Sequence, residues 1–209
     1  MLTSHEKLHL VIRYWLQGKG FHLALRAMDY GQSHHKGVRK DGVTPEFSHQ
    51  IWIANLLRTL EGSVQDLEIV LAVAFLHDVP EDYDVSFEEI ASRFGTAVAA
   101  PVRLLTKKHR GVVIPAPDYY AAIGGCRTAA LVKGGDRIHN LGTMVGVFTR
   151  EKQQAYIAEV REFILPALKR ARRSFPEHEP AYENLKQALI SRIDLIEAIH
   201  AAAILPDVA

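Results

Sequence analysis

The chain carries a single cysteine, Cys126, so it can close no disulfide within itself. A lone thiol fits a reducing compartment and reads as core filling rather than as a nucleophile. Any apolar run near the ~20 residues of a membrane-spanning helix is also missing; residues 69–76 make a run of only eight. The opening Met1-Leu2-Thr3-Ser4-His5-Glu6-Lys7 has neither the basic start nor the apolar core of a secretion signal. Neither sign of charge is in excess. Lys and Arg total 25 against 24 Asp and Glu, leaving +1, which gives no field to select nucleic acid or an anionic membrane. Local basic clusters at Lys107-Lys108-His109-Arg110 and Lys169-Arg170-Ala171-Arg172-Arg173 read as solvated helix ends. No internal repeat or low-complexity segment is present. These absences lead us to expect a cytoplasmic protein with no nucleic acid or membrane partner.

What is there suits one folded unit. At 209 residues, 48% hydrophobic and 23% charged, the chain reads as a single domain spanning 1–209 with a sizeable core. Eleven histidines are the one compositional oddity.

The chain is organised around Leu76-His77-Asp78-Val79-Pro80-Glu81-Asp82. Residues 69–76 before it are apolar without a break, and a helix apolar on every side is a buried one. Such a helix delivers an imidazole and three carboxylates from a core, which is costly unless they are paired or bound to a cation. Pro80 disfavours helical geometry at Val79, so Glu81 and Asp82 are expected to leave the axis at a bend there. This is the pattern of a divalent-metal hydrolase site, although His-Asp alone is equally a capped helix end with an ion pair.

The rest reads as helices, with a capping box at Thr3 and Glu6 opening a first helix to Leu16, its stripe made by Val11, Ile12, Trp15 and Leu16. A second helix is expected over 21–30, then a polar loop over 31–44 holding His34, His35, Arg39, Lys40 and Asp41. Thr44-Pro45 is a good helix start for 45–60, with His49 on its inner face beside Trp52 and Ile53. Ser86 and Glu89 open a short helix to Phe94; 97–105 is helical, and 107–117 is loop with an extended piece at 112–114. A helix over 129–143 contains Gly134-Gly135, read as close approach of another backbone or plain packing. On it Asp136, His139, Asn140 and Thr143 share one face. Residues 151–165, 166–174 and 180–204 complete an all-α fold, broken or kinked at Pro166.

Four candidate ligands thus recur along the chain: His49, His77, Asp78 and Asp136. Their order, with Arg39-Lys40-Asp41-Gly42-Val43-Thr44-Pro45, Phe75-Leu76-His77-Asp78-Val79-Pro80-Glu81-Asp82 and Asp136-Arg137-Ile138-His139-Asn140, resembles the HD superfamily of metal-dependent phosphohydrolases. Within it, the likeness is to the hydrolase domain of RelA/SpoT homologues, of the small alarmone hydrolase type, over about residues 20–170, with 175–204 as appended helices. The resemblance implies Mn²⁺ held by His49, His77, Asp78 and Asp136, a donor set that also suits Fe or Zn²⁺. It implies Glu81 and Asp82 as the acidic pair that deprotonates the attacking water. Arg39 would pack against guanine, Lys40 balance phosphate, and Asn140 and Thr143 contact the nucleotide, while His139 and Arg137 lie behind the ligands. The implied reaction is hydrolysis of the 3′-pyrophosphate of ppGpp or pppGpp to GDP or GTP and pyrophosphate. The alternatives are an HD phosphohydrolase for another nucleotide, such as an adenosine alarmone or a nucleoside phosphate, and a catalytically weak nucleotide sensor. Several positions depart from the family pattern. Gln50 stands for the usual proline, Pro80 for an aliphatic residue, and Asp41 for a small residue, where it would add negative charge beside the polyphosphate. Gly134, Gly135 and Gly142 replace bulkier residues, and the segment 39–49 is one residue longer.

Overall fold

A computed structural model describes residues 2–202. Among them, helices dominate. The first, α1 (Ser4–Lys19), opens with the reciprocal capping box of Thr3 and Glu6 and stops where Gly20 turns left-handed at φ 70°. Ile12 and Leu16 form its buried edge, whereas Val11, expected on the stripe, is exposed. The second, α2 (His22–His34), runs four residues beyond the expected end, so His34 belongs to a helix and not to a loop. Ring-to-carbonyl contacts of His34 with Tyr30 and of His35 with Gly31 hold its last turn.

The helix expected from Thr44-Pro45 starts later, as α3 (Ser48–Arg58). The reason is local: Thr44 gives its hydroxyl and amide protons to Asp41 instead of capping a helix, and Pro45 forms a bridge to Val38. Then comes α4 (Leu67–Leu76), whose residues from Val70 onward are all buried. It packs against α2, α3, α7 (Thr96–Leu105) and α9 (Arg127–Thr143), which makes it the central rod of the molecule. At roughly 1.5–3 kcal/mol for each large side chain removed from water, this one helix is a main source of stability.

The break after α4 lies two residues earlier than expected. A proline ring at position 80 collides with the carbonyl of residue 76 in a continuous helix and offers it no N–H. The helix therefore ends at Leu76, and Pro80 sits in the first turn of the short α5 (Val79–Tyr83), where proline is tolerated. His77 and Asp78 occupy the corner between the two.

Beyond it, α6 (Phe87–Phe94) is capped by Ser86 as expected. Lys108–His109 and Val112–Val113 pair as a two-strand hairpin, β1 and β2. An unexpected helix, α8 (Ala116–Gly124), begins at the prolines that had suggested loop. After α9, α10 (Arg150–Glu159) passes through a π turn at Val160–Ile164 into α11 (Leu165–Ser174), with Pro166 in its first turn rather than breaking the rod. The last helix, α12 (Glu179–Ala202), packs along α9; the expected continuation to Ile204 lies outside the described residues.

Gly134 and Gly135 meet side chains, Leu185 and Ile53, so they serve packing and not a backbone crossing. The close backbone approach is at Gly31, where a Cβ would collide with the Phe75 carbonyl oxygen. In urea denaturation, Gly31→Ala should cost about 1–3 kcal/mol as an overpacked contact. Gly18→Ala, with open space around it, should be neutral or gain up to about 1 kcal/mol. Equal behaviour of the two would contradict this packing.

Candidate functional site

The corner at the end of α4 meets the first turn of α3 and the middle of α9. His77 Nε2 lies 3.1 Å from Asp78 Oδ2, and His49 Nε2 lies 3.9 Å from the same oxygen. On its other side His49 Nε2 is 3.1 Å from Asp136 Oδ1. Donor atoms of His49, His77 and Asp78 all fall within 4.8 Å of one another; Asp136 joins them through His49.

Both imidazoles have one nitrogen committed behind the site. His77 Nδ1 donates to the Ala74 carbonyl oxygen at 2.9 Å, which turns the buried Nε2 towards Asp78 Oδ2, where no hydrogen bond of good geometry satisfies it. His49 Nδ1 lies 2.8 Å from His139 Nδ1. Burial, then His49 and Arg39, depress the pKa of His139 to about 2, so it stays neutral, and one of the two rings gives its Nδ1 proton to the other. Nε2 of His49 faces the carboxylates. Burial opposes charge on His77, but Asp78 and Asp136 more than offset this and raise its pKa to about 9. The position thus attracts positive charge. An unpartnered imidazole nitrogen, a second imidazole fixed from behind and two carboxylates fit a divalent transition cation. Asp136 also receives Lys133 Nζ at 2.8 Å and Asn140 Nδ2 at 2.6 Å. Burial works against its charge, yet Lys133 and His49 hold the carboxyl well below the usual range.

The two acids of α5 are placed differently. Asp82 lies near Asp78 and His35, whose donor atoms fall within 4.8 Å of its own. Loss of solvent in the cleft, then the charges of Asp78 and Glu81, push its carboxyl up to about 6. Glu81 points to the hairpin and accepts the Lys107 amide proton at 2.8 Å.

The cleft above these groups has a volume of about 550 Å³. Arg39 and Lys40 enter it from the loop before α3, and Arg39 Nη2 donates to Asn140 Oδ1 at 3.3 Å and Thr143 Oγ1 at 3.4 Å. All four expected nucleotide contacts therefore line one wall. Asp41 lines the cleft beside Arg39, so its charge stays at the site. Its carboxylate accepts the Val43 and Thr44 amides and the Thr44 hydroxyl, and so holds the loop that presents Arg39.

The opposite wall was not foreseen. Lys107, Lys133 and Arg137 line it, with Glu159 bonded to Arg137 Nη2 at 2.7 Å and to the Tyr120 hydroxyl at 2.8 Å. Lys107 had been read as a solvated end. Lys133, three residues before Asp136 on one helix, carried a usable signal; Glu159, on a separate helix, carried none.

Residues 27–111 match the family model described as HD domain. A Drosophila melanogaster protein named guanosine-3′,5′-bis(diphosphate) 3′-pyrophosphohydrolase MESH1 is 33% identical, covering 63% of this chain and 76% of that protein. The chain belongs to the HD-domain family, in its RelA/SpoT-homologue hydrolase group. The Danio rerio MESH1 is 35% identical over 56% of this HD-domain chain and 66% of its own length. A Synechocystis protein named probable guanosine-3′,5′-bis(diphosphate) 3′-pyrophosphohydrolase is 30% identical over 71% of this chain, but the match spans only 20% of that longer protein. Among solved structures, one described as a metazoan ortholog of SpoT that hydrolyzes ppGpp superposes with a TM-score of 0.59. At 24% identity, covering 79% of this chain and 94% of that one, it carries the fold.

The clasp on Asp41 has a signature in pH. Its hydrogen bonds from Thr44 and Val43 depress the carboxyl to about 2. A depressed carboxyl contributes stability above its unfolded pKa of about 4 that is lost as the pH falls towards 2. NMR titration of the Asp41 side-chain carbon should give a midpoint near 2; a midpoint near 4 would mean that the clasp does not form.

Proposed function

We propose that this chain is a single-domain, Mn²⁺-dependent cytoplasmic hydrolase that removes the 3′-pyrophosphate of ppGpp and pppGpp. The observation that carries the reading is the buried Nε2 of His77, unpartnered and aimed at the same carboxylate oxygen that His49 approaches. His49, His77, Asp78 and Asp136 would hold the cation, which supplies acidification of a water and neutralisation of phosphate charge. The names of the Drosophila, zebrafish and Synechocystis relatives support the choice of substrate.

The chain's own residues would divide the remaining work. Asp82, with its carboxyl raised to about 6, has the basicity to take a proton from water near neutral pH. Glu81, tethered to the Lys107 amide, would fix the depth at which α5 presents that base. In the hydrolysis the bond between phosphorus and the ribose 3′-oxygen breaks. The hydroxyl of water stays on the departing pyrophosphate and a proton ends on the 3′-oxygen, giving GDP or GTP. Arg39, braced by Asn140 and Thr143, offers a flat guanidinium face to a guanine ring. Lys40, Lys107 and Lys133 offset phosphate charge from both walls.

Purified protein given Mn²⁺ and ppGpp should release GDP and pyrophosphate, and chelation of the metal should stop it. Release of orthophosphate alone would favour a different nucleotide phosphohydrolase. Asp82→Asn should lower kcat by roughly 10²- to 10⁴-fold while Mn²⁺ still binds, and Glu81→Ala, which removes the tether to the Lys107 amide, should lower kcat as well. Wild-type turnover in Asp82→Asn would remove Asp82 from the chemistry.

A further inference from the structure

One buried side chain next to the site has no part in the reading above. Gln50, on the first turn of α3, is 1% exposed and stands where the family pattern has proline. Its Nε2 donates to Asp78 Oδ2 at 3.2 Å and lies 3.2 Å from His35 Nε2. The direction of that second contact is fixed by His35. Its Nδ1 proton is given to the Gly31 carbonyl oxygen at 2.9 Å, so Nε2 of His35 carries a lone pair and accepts. Both neighbours of the amide are therefore acceptors. The nitrogen must face them, because the reversed amide would set its oxygen against a lone pair and a carboxylate.

This orientation leaves Gln50 Oε1 buried without a partner. A fold retains such an atom at a cost in stability, and here the compensation is control of Asp78. The relay starts where α2 lies hard against α4 at Gly31 and runs through His35 and Gln50 to the corner that follows α4. Three helices are thereby tied to one carboxylate.

We infer that Gln50, held by His35, is a positioning residue that sets the rotation of the Asp78 carboxylate for cation binding. The inference rests on Asp78 being a metal ligand, as proposed above. One proton donated to Oδ2 fixes the carboxylate plane and leaves other lone pairs for the cation. Partners of this kind behind a metal ligand typically account for 10- to 100-fold in metal affinity. A proline at position 50 has no side-chain donor, so in this chain the orienting contact comes from a different residue type.

The test is Mn²⁺ titration of the metal-free full-length protein by calorimetry, with no substrate present. Gln50→Met keeps the length and removes the donor; Gln50→Pro removes it at a first-turn position where proline is tolerated. Each should weaken Mn²⁺ binding about 10- to 100-fold with one site per chain. Added to Asp78→Asn, Gln50→Met should have no further effect, because its route to the metal is already cut. Wild-type affinity in folded Gln50→Met and Gln50→Pro would overturn the inference. Additive losses in the double variant would do so too, since they indicate general loosening. So would two Mn²⁺ per chain, which would recruit His35, Asp78 and Asp82 as direct ligands. Wild-type affinity in Asp78→Asn would instead overturn the ligand assignment itself.

Discussion

The structure depends on an incompatibility between a buried apolar helix and the proline that follows it. Leu67–Leu76 is driven into the centre by its side chains, and no polar face lets it turn back to water. Pro80 prevents the rod from continuing past Leu76, so the chain turns a corner inside the protein. Residues placed at such a corner need polar partners that the core does not supply. Asp78 finds them on α3, from His49 and Gln50, and Asp136 on α9 joins through His49. The packing of the helices and the assembly of the site are one event.

Around that corner the charges are sorted by depth. Lys133 and Asp136 are paired at the floor, where an isolated ion would be prohibitive. Neutral His139 backs His49, and the Ala74 carbonyl backs His77, so both imidazoles turn Nε2 towards Asp78. Higher in the cleft, Asp82 loses part of its solvent and is crowded by other carboxylates, and it holds its proton to higher pH than an ordinary aspartate. Arg39 and Lys40 line one wall, and Lys107 and Arg137, the latter paired with Glu159, line the other.

Much of this was legible in the sequence because the signals were local. The capping box at Thr3, the N-cap at Ser86, the unbroken apolar run of α4 and the polar face of α9 each follow from spacing within one helix. The second box expected at Ser86 does not close, because the Glu89 carboxylate bonds Tyr30 and Arg93. The departures from expectation came where a distant partner decided the outcome. Asp41 reads in the sequence only as added negative charge; its clasp on Thr44, which displaces the start of α3, has no signal there. Gln50 stands out only as a departure from the family pattern, and its contacts to His35 and Asp78 depend on α2, α3 and the α4 corner meeting. The prolines before α8 open a helix instead of ending one, an ambiguity that composition alone does not resolve. Membership of the HD-domain family accounts for the ligand order, while the wall built from Lys107, Arg137 and Glu159 emerges only from the fold.

The central claim is that four side chains from two helices and the corner between α4 and α5 converge on one cation. Anomalous diffraction from crystals grown with Mn²⁺ tests it directly. The account predicts one strong peak bonded to His49 Nε2, His77 Nε2 and carboxylate oxygens of Asp78 and Asp136. A peak elsewhere, or one from which His49 or Asp136 is excluded, would contradict it.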